Sequence, residues 1–219
     1  MGFFLILVAV WADMEASAYD FPRLANAGLD GFRCPVLMTP NETSTISLAI
    51  SNPTEDQISP SVKTLTSTRF LPKESLEGIQ LKPGESKRLE WRVGAENIDL
   101  GNFIFAKVLL FSAYPLPTRE ATCGIFVIGL PGTGRVIVPV LMAMSLLGMG
   151  WGLYILNLWS AASVRLRKHL SSMMFLTVMI SLGLFLSFTS GWISILPVLI
   201  VTLLLMIILL GSLAVDKSR

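Results

Sequence analysis

Two patterns of hydrophobic and polar positions divide this chain. Between Thr45 and Ile128 apolar residues recur in short runs, several of them with period two. Between Val136 and Val215 they fill two blocks without a charged side chain, Val136–Val164 and Leu170–Val215, parted by Arg165-Leu166-Arg167-Lys168-His169. An uncharged apolar run of about 18 or more residues, at about 1.5 Å rise per helical residue, is long enough to cross a bilayer core of about 30 Å. The first block therefore predicts one crossing. The second, at 46 residues, is too long for one straight helix, and Thr189-Ser190-Gly191-Trp192 interrupts it with turn-forming residues. Three transmembrane helices are expected, over 136–159, 170–188 and 193–215, followed by a cytoplasmic tail at 216–219.

The period-two half predicts strands. Thr45-Ile46-Ser47-Leu48-Ala49-Ile50-Ser51 alternates as a half-buried strand does, and Asn52-Pro53-Thr54 ends it. In Ile58–Ser67 the alternation slips between Val62 and Leu65, which predicts a bulge. Ile79-Gln80-Leu81 leads into the turn Lys82-Pro83-Gly84-Glu85, and Leu89-Glu90-Trp91-Arg92-Val93 alternates again. Phe103–Phe111 and Cys123–Ile128 complete the set. Short strands with Gly/Pro turns between them predict an antiparallel sandwich of about seven strands over residues 34–129. Residues 19–33 read as a linker, and residues 130–135 as a flexible juxtamembrane hinge.

The run Ile79-x-Leu81-x-Pro83-Gly84-Glu85-Ser86-x-x-Leu89-x-Trp91-x-Val93, preceded by Leu48-x-Ile50-x-Asn52-Pro53, resembles bacterial Ig-like modules of the CARDB or fibronectin type III kind. The resemblance covers about residues 34–129 and none of the membrane part. It implies an Ig-like β-sandwich whose aromatic residue after the Pro-Gly turn packs into the core. It also implies a spacer or binding surface rather than a particular reaction.

The N-terminal run MGFFLILVAVWA is apolar over 12 residues and resembles the centre of a secretory signal, with Ala16-Ser17-Ala18 as a small-x-small cleavage site. No Lys or Arg precedes it. Residues 1–18 are therefore expected to stay on the chain as an N-terminal membrane helix or uncleaved signal anchor, short for a crossing, with Asp13 and Glu15 at the outer interface.

Charge sets the orientation. Beyond Arg135 the chain has five basic residues and one acid, and all five basics fall at the ends assigned to the cytoplasm: Arg165, Arg167 and Lys168 in the loop, Lys217 and Arg219 in the tail. Short Lys/Arg-rich loops remain on the cytoplasmic side. The β-rich half is then extracytoplasmic, in a multi-pass protein of the plasma membrane. Residues 19–135 hold 12 Lys/Arg and 12 Asp/Glu, so no basic surplus draws them to nucleic acid. The two cysteines, Cys34 and Cys123, fall in the first and last predicted strands, on the oxidising side, and are expected to pair; two buried thiols are the alternative.

Candidate chemistry is sparse. Gly129–Val136 superficially has the look of a phosphate loop, but Arg135 and Val136 stand where Lys and Ser/Thr are required. His169 is the sole histidine, so no multi-His metal site or bis-His haem can be built within one chain, and no metal or cofactor is expected. Glu74, Glu77 and Glu120 are candidates for paired acid–base work and are expected instead to be solvated surface charges. Asn41-Glu42-Thr43 matches a glycosylation acceptor, or a polar turn after Pro40. Gly148 and Gly152 share one helical face and let another backbone approach, from within the chain or from a partner. No ionisable residue falls inside the three spans, which argues against a transporter.

Three helices exceed what an anchor requires. The expected role is a non-enzymatic accessory subunit of a larger integral membrane complex, an electron-transfer or respiratory assembly being one candidate host, with other membrane subunits and lipid as partners. The alternative is a free-standing adhesion or ligand-binding receptor, using loops at Phe70-Leu71-Pro72 and Tyr114-Pro115-Leu116-Pro117.

Overall fold

A computed structural model of the chain describes residues 2–19, 27–111, 117–160, 164–189 and 192–218. The chain forms two compact units, one of Met1–Val10 with Ile137–Arg219 and the other of Trp11–Val136.

Among its described residues the second unit contains nine strands: β1 (Ala27–Gly28), β2 (Phe32–Arg33), β3 (Leu37–Met38), β4 (Ser44–Ser51), β5 (Ser61–Thr66), β6 (Lys73–Gly78), β7 (Ser86–Val93), β8 (Phe103–Phe111) and β9 (Arg119–Val127). A six-stranded sheet runs β1-β9-β8-β5-β6, with β3 also paired to β9, and a three-stranded sheet runs β2-β4-β7. Alternate residues of both sheets meet between them. Leu48, Ile50, Val62, Leu89, Val108 and Leu110 form one buried cluster, and Ile46, Val93, Ile104, Ala106, Cys123 and Ile125 belong to a second. Trp91, after the Pro-Gly turn, packs against both. The unit is an all-β Ig-like sandwich, and Cys34 and Cys123 form the disulfide that ties the segment before β3 to β9.

The strand expectations hold closely for β4, β7 and β8 and differ elsewhere for physical reasons. β5 pairs one-to-one with both β6 and β8, without the bulge expected between Val62 and Leu65. Its alternation slips because both faces are buried: Val62 and Thr64 face the core, while Leu65 lies buried on the opposite face. β6 has the sequence Lys-Glu-Ser-Leu-Glu-Gly and among the described residues pairs only with β5, so as an edge strand it needs no apolar face. Ile79-Gln80-Leu81 contributes a single bridge, Leu81 to Ile58, in place of the expected strand. The stretch read as a linker, 19–33, carries β1 and β2.

The stretch expected as a flexible hinge, 130–135, is tied down. The Ile128 N–H donates to the Met38 carbonyl at 3.0 Å, the Thr39 hydroxyl donates to the Gly132 carbonyl at 3.0 Å, and the Gly134 N–H donates to the Glu42 carboxylate at 2.7 Å. A carboxylate at a helix N-terminus offsets the orphan N–H groups there, and Gly134 opens the next helix. A side chain at Gly134 would collide with the Leu37 carbonyl.

The first unit is helical. α1 (Gly2–Ala18) begins in it, and α2 (Gly134–Ser160), α3 (Val164–Thr189) and α4 (Trp192–Ser218) make up the rest. Three segments, Gly134–Trp159, Leu170–Ser187 and Ile195–Ser212, are long and apolar enough to cross a membrane. Leu5, Ile6 and Val10 of α1 form a core with Leu184 and Ile195. The predicted loop at Arg165–His169 is helical instead, as the first turns of α3, and α4 continues through Asp216–Ser218. Neither stretch has Gly or Pro to stop a helix, and Arg and Lys are good helix formers. α3 ends at Thr189 and α4 starts at Trp192, and the break expected near Gly191 lies outside the described residues.

Candidate functional site

The outer face of the six-stranded sheet, opposite the sandwich core, ought to be wet. It is not. Leu65, Phe105, Lys107, Leu109 and Glu120 project there and are almost fully buried. The second half of α1 lies against this face. Ala12 and Ala16, one turn apart, are both buried, and a Cβ on Gly124 of β9 would overlap the Ala12 carbonyl. Tyr19, just past the helix, packs tilted against Phe105 with ring centroids 4.8 Å apart and donates its hydroxyl to Asp99 at 3.0 Å.

Asp13 closes the joint. β9 pairs in parallel with β1 at Arg119 and Glu120 and with β3 at Phe126 and Val127. Gly124 falls in the gap between those pairings, and its N–H donates to the Asp13 carboxylate at 2.9 Å. Burial pushes the Asp13 carboxyl up from 3.8 to about 6, and the hydrogen bond from Gly124 partly opposes that rise.

Under this cover lies an ion pair, Lys107 to Glu120 at 3.4 Å, with side chains 1% and 4% exposed. Sequence reasoning expected Glu120 to be a solvated charge. It is buried because its strand has no wet face, which the polar neighbours Arg119 and Thr118 conceal. The other two carboxylates go elsewhere: Glu74 pairs with Lys63 at 2.9 Å, and Glu77 accepts from the Trp91 indole N–H at 3.2 Å. The three acids do not converge. Glu42 acts in the Gly134 cap, and Asn41 beside it sits exposed in a turn. Among the described residues, no group of His, Cys, Asp and Glu is arranged to hold a metal ion.

In the helical unit, Gly148 and Gly152 both face open space, with nothing within 4 Å of where a Cβ would stand. Gly183 is used internally: a Cβ there would meet Ile6 of α1. Ser181 and Ser187 donate to carbonyls of their own helix, Thr177 at 2.9 Å and Leu184 at 2.7 Å. The backbone at Arg165, Arg167, Lys168 and His169 is helical, while their side chains lie outside what the structure describes. Of the two apolar loops, Phe70-Leu71-Pro72 is described and exposed, and most of Tyr114-Pro115-Leu116-Pro117 lies outside the described residues.

No protein-family model matches the chain, and no curated protein matches it. Among solved structures it is similar to the CARDB domain of a Pyrococcus furiosus protein in complex with di-metal ions, at 13% identity and a TM-score of 0.36, over 50% of this chain and 99% of that one. It is also similar to a Paenibacillus cycloisomaltooligosaccharide glucanotransferase, at 12% identity and a TM-score of 0.34 over 48% of this chain. A Bacteroides uniformis beta-glucuronidase 2 stands at 14% and 0.35, also over 48%. The chain spans 14% of the length of each of these two enzymes. At such scores the likenesses carry no argument, and the sandwich assignment rests on the two sheets and the core between them.

Proposed function

We propose that this chain is a non-catalytic accessory subunit of a larger integral membrane assembly, with its β-sandwich on the extracytoplasmic side and α2, α3 and α4 crossing the bilayer. The observation that supports this most is α2. Its Gly148 and Gly152 are open, and Leu147, Trp151, Tyr154, Leu158 and Trp159 around them are exposed, so a surface suited to close helix packing has no internal user among the described residues. The disulfide fits an oxidising compartment, and the positive residues at 165–168 fit a cytoplasmic end. Among the described residues the one buried ion pair, Lys107–Glu120, lies beneath α1.

Gentle solubilisation followed by native gel and mass spectrometry tests the reading. Co-migration with stoichiometric membrane proteins is expected, and lost when Gly148→Ile and Gly152→Ile are combined. Migration as a lone 23.9 kDa chain contradicts it. A free-standing receptor is the second reading, favoured by the exposure of Phe70 and Leu71, and lone migration is its expected outcome.

A further inference from the structure

Those two side chains belong to a larger arrangement. Phe126 of β9 pairs with Phe103 of β8, and Ala106 of β8 pairs with Thr66 of β5, so the end of β9, the start of β8 and the end of β5 share one end of the sandwich. It is the end from which the chain continues through residues 128–133 into α2. Of the six large apolar side chains exposed among the described residues between 27 and 133, four stand at this end: Phe70 (93% exposed), Leu71 (77%), Leu100 (67%) and Leu130 (42%).

The tips are built rather than loose. Ser67, at the base of the first, donates its hydroxyl to the Asn97 carbonyl at 2.6 Å, and the Asn97 amide donates back to the Ser67 carbonyl at 3.0 Å. The Phe105 N–H donates to the Ser67 hydroxyl at 2.8 Å, and the Gly94 N–H donates to the Asn97 side chain at 3.1 Å. Both Ser67 and Asn97 are buried, so the network locks the Phe70-Leu71 tip to the turn that carries Leu100. Thr68 donates to the Leu71 carbonyl and closes the tip. Leu100 takes φ +46°, a backbone region where Asn or Gly is usual and a large apolar residue is rare.

The geometry points to lipid as the occupant: Phe70, Leu71 and Leu100 insert into the interface of the bilayer that α2 enters. A soluble end would not hold leucine in a left-handed conformation facing water, whereas aromatic and aliphatic tips flanked by cations match an interfacial anchor. Arg69 and Lys73 flank the first tip and are exposed, placed to meet lipid phosphates, and Arg135 is exposed where α2 begins. Two acids at this end are engaged away from solvent, Asp99 with Tyr19 and the Leu100 N–H, and Glu42 with Thr39 and Gly134, while Glu74, paired with Lys63, and Glu96 are exposed. This inference does not depend on the subunit reading, and it takes from the receptor reading the Phe70-Leu71 surface that favours it.

The test uses the full chain, alone in phosphatidylcholine/phosphatidylglycerol nanodiscs, with a nitroxide on a single introduced cysteine in Leu71→Cys, Leu100→Cys or, as control, Leu76→Cys. The native cysteines are bonded to each other and leave the label to the introduced site. Positions 71 and 100 are expected to be more accessible to oxygen than to a water-soluble nickel chelate, with the reverse at 76. Phe70→Ser is expected to move the label at 100 toward water. Water-like values at 71 or 100 in the lone protein overturn the inference. Protection of both only in native membranes also overturns it and assigns the tips to a protein partner.

Discussion

If the second half of α1 belongs to the sandwich, one methyl group should dislodge it. Gly124→Ala places a Cβ against the Ala12 carbonyl, a backbone atom that no rotamer change can move aside. The helix then shifts or leaves. A shift with repacking costs about 1–3 kcal/mol, and more where backbone must move. Complete departure exposes Leu65, Phe105 and Leu109, each worth about 1.5–3 kcal/mol when fully buried, and uncovers the Lys107–Glu120 pair, so it costs more than the shift. The cheaper route sets the outcome at roughly 2–3 kcal/mol, which corresponds to about a 30- to 150-fold rise in local opening. Hydrogen–deuterium exchange of the full chain in nanodiscs reads this directly in peptides covering residues 11–19. Gly78→Ala is the control, since nothing lies within 4 Å of a Cβ there. Exchange at 11–19 within twofold of the parent would refute the docking.

Four further substitutions probe the same face and the core beneath it. Asp13 has its folded pKa raised from 3.8 to about 6, so its stabilisation of the docked helix is complete below pH 3.8 and is lost as pH rises through 6. The full change is about 3 kcal/mol at most. Exchange at residues 11–19 should therefore be slower at pH 4 than at pH 7.5 after correction for intrinsic rates, and Asp13→Asn, which keeps an acceptor for Gly124, should remove the difference. Lys107→Met leaves Glu120 buried without its cation and should lower denaturation stability by about 3–5 kcal/mol, most of it regained when Glu120→Leu is added. Thr64→Val should raise the melting temperature, worth about 1 kcal/mol, because the buried Thr64 hydroxyl has no hydrogen-bond partner among the described residues and valine matches its shape.

The legible parts of the fold were those where one face alone is buried. β4 and β7 alternate cleanly because each has a core side and an outer side, and β8 was found at its full length from its apolar content. The outer face of the six-stranded sheet was hidden because its cover comes from far away in sequence: Asp13 lies 111 residues from Gly124. Nothing local to Glu120 distinguishes a buried partner of Lys107 from a surface acid. One sequence signal was available, Ala12 and Ala16 at helical spacing beside Asp13, a small-residue face with a carboxylate on it. β6 escaped because an edge strand with both faces polar leaves no hydrophobic period to read. Leu100 had no signal at all, since Leu-Gly reads as an ordinary strand approach and not as a leucine in a left-handed turn.

Everything about partners and compartment turns on which side of the lipid the sandwich occupies. Single cysteines introduced at Lys82 and at Lys168, in intact cells treated with a membrane-impermeant maleimide, decide it. The account predicts labelling at 82 without permeabilisation and at 168 only after it. Labelling at 168 in intact cells with 82 protected would contradict it.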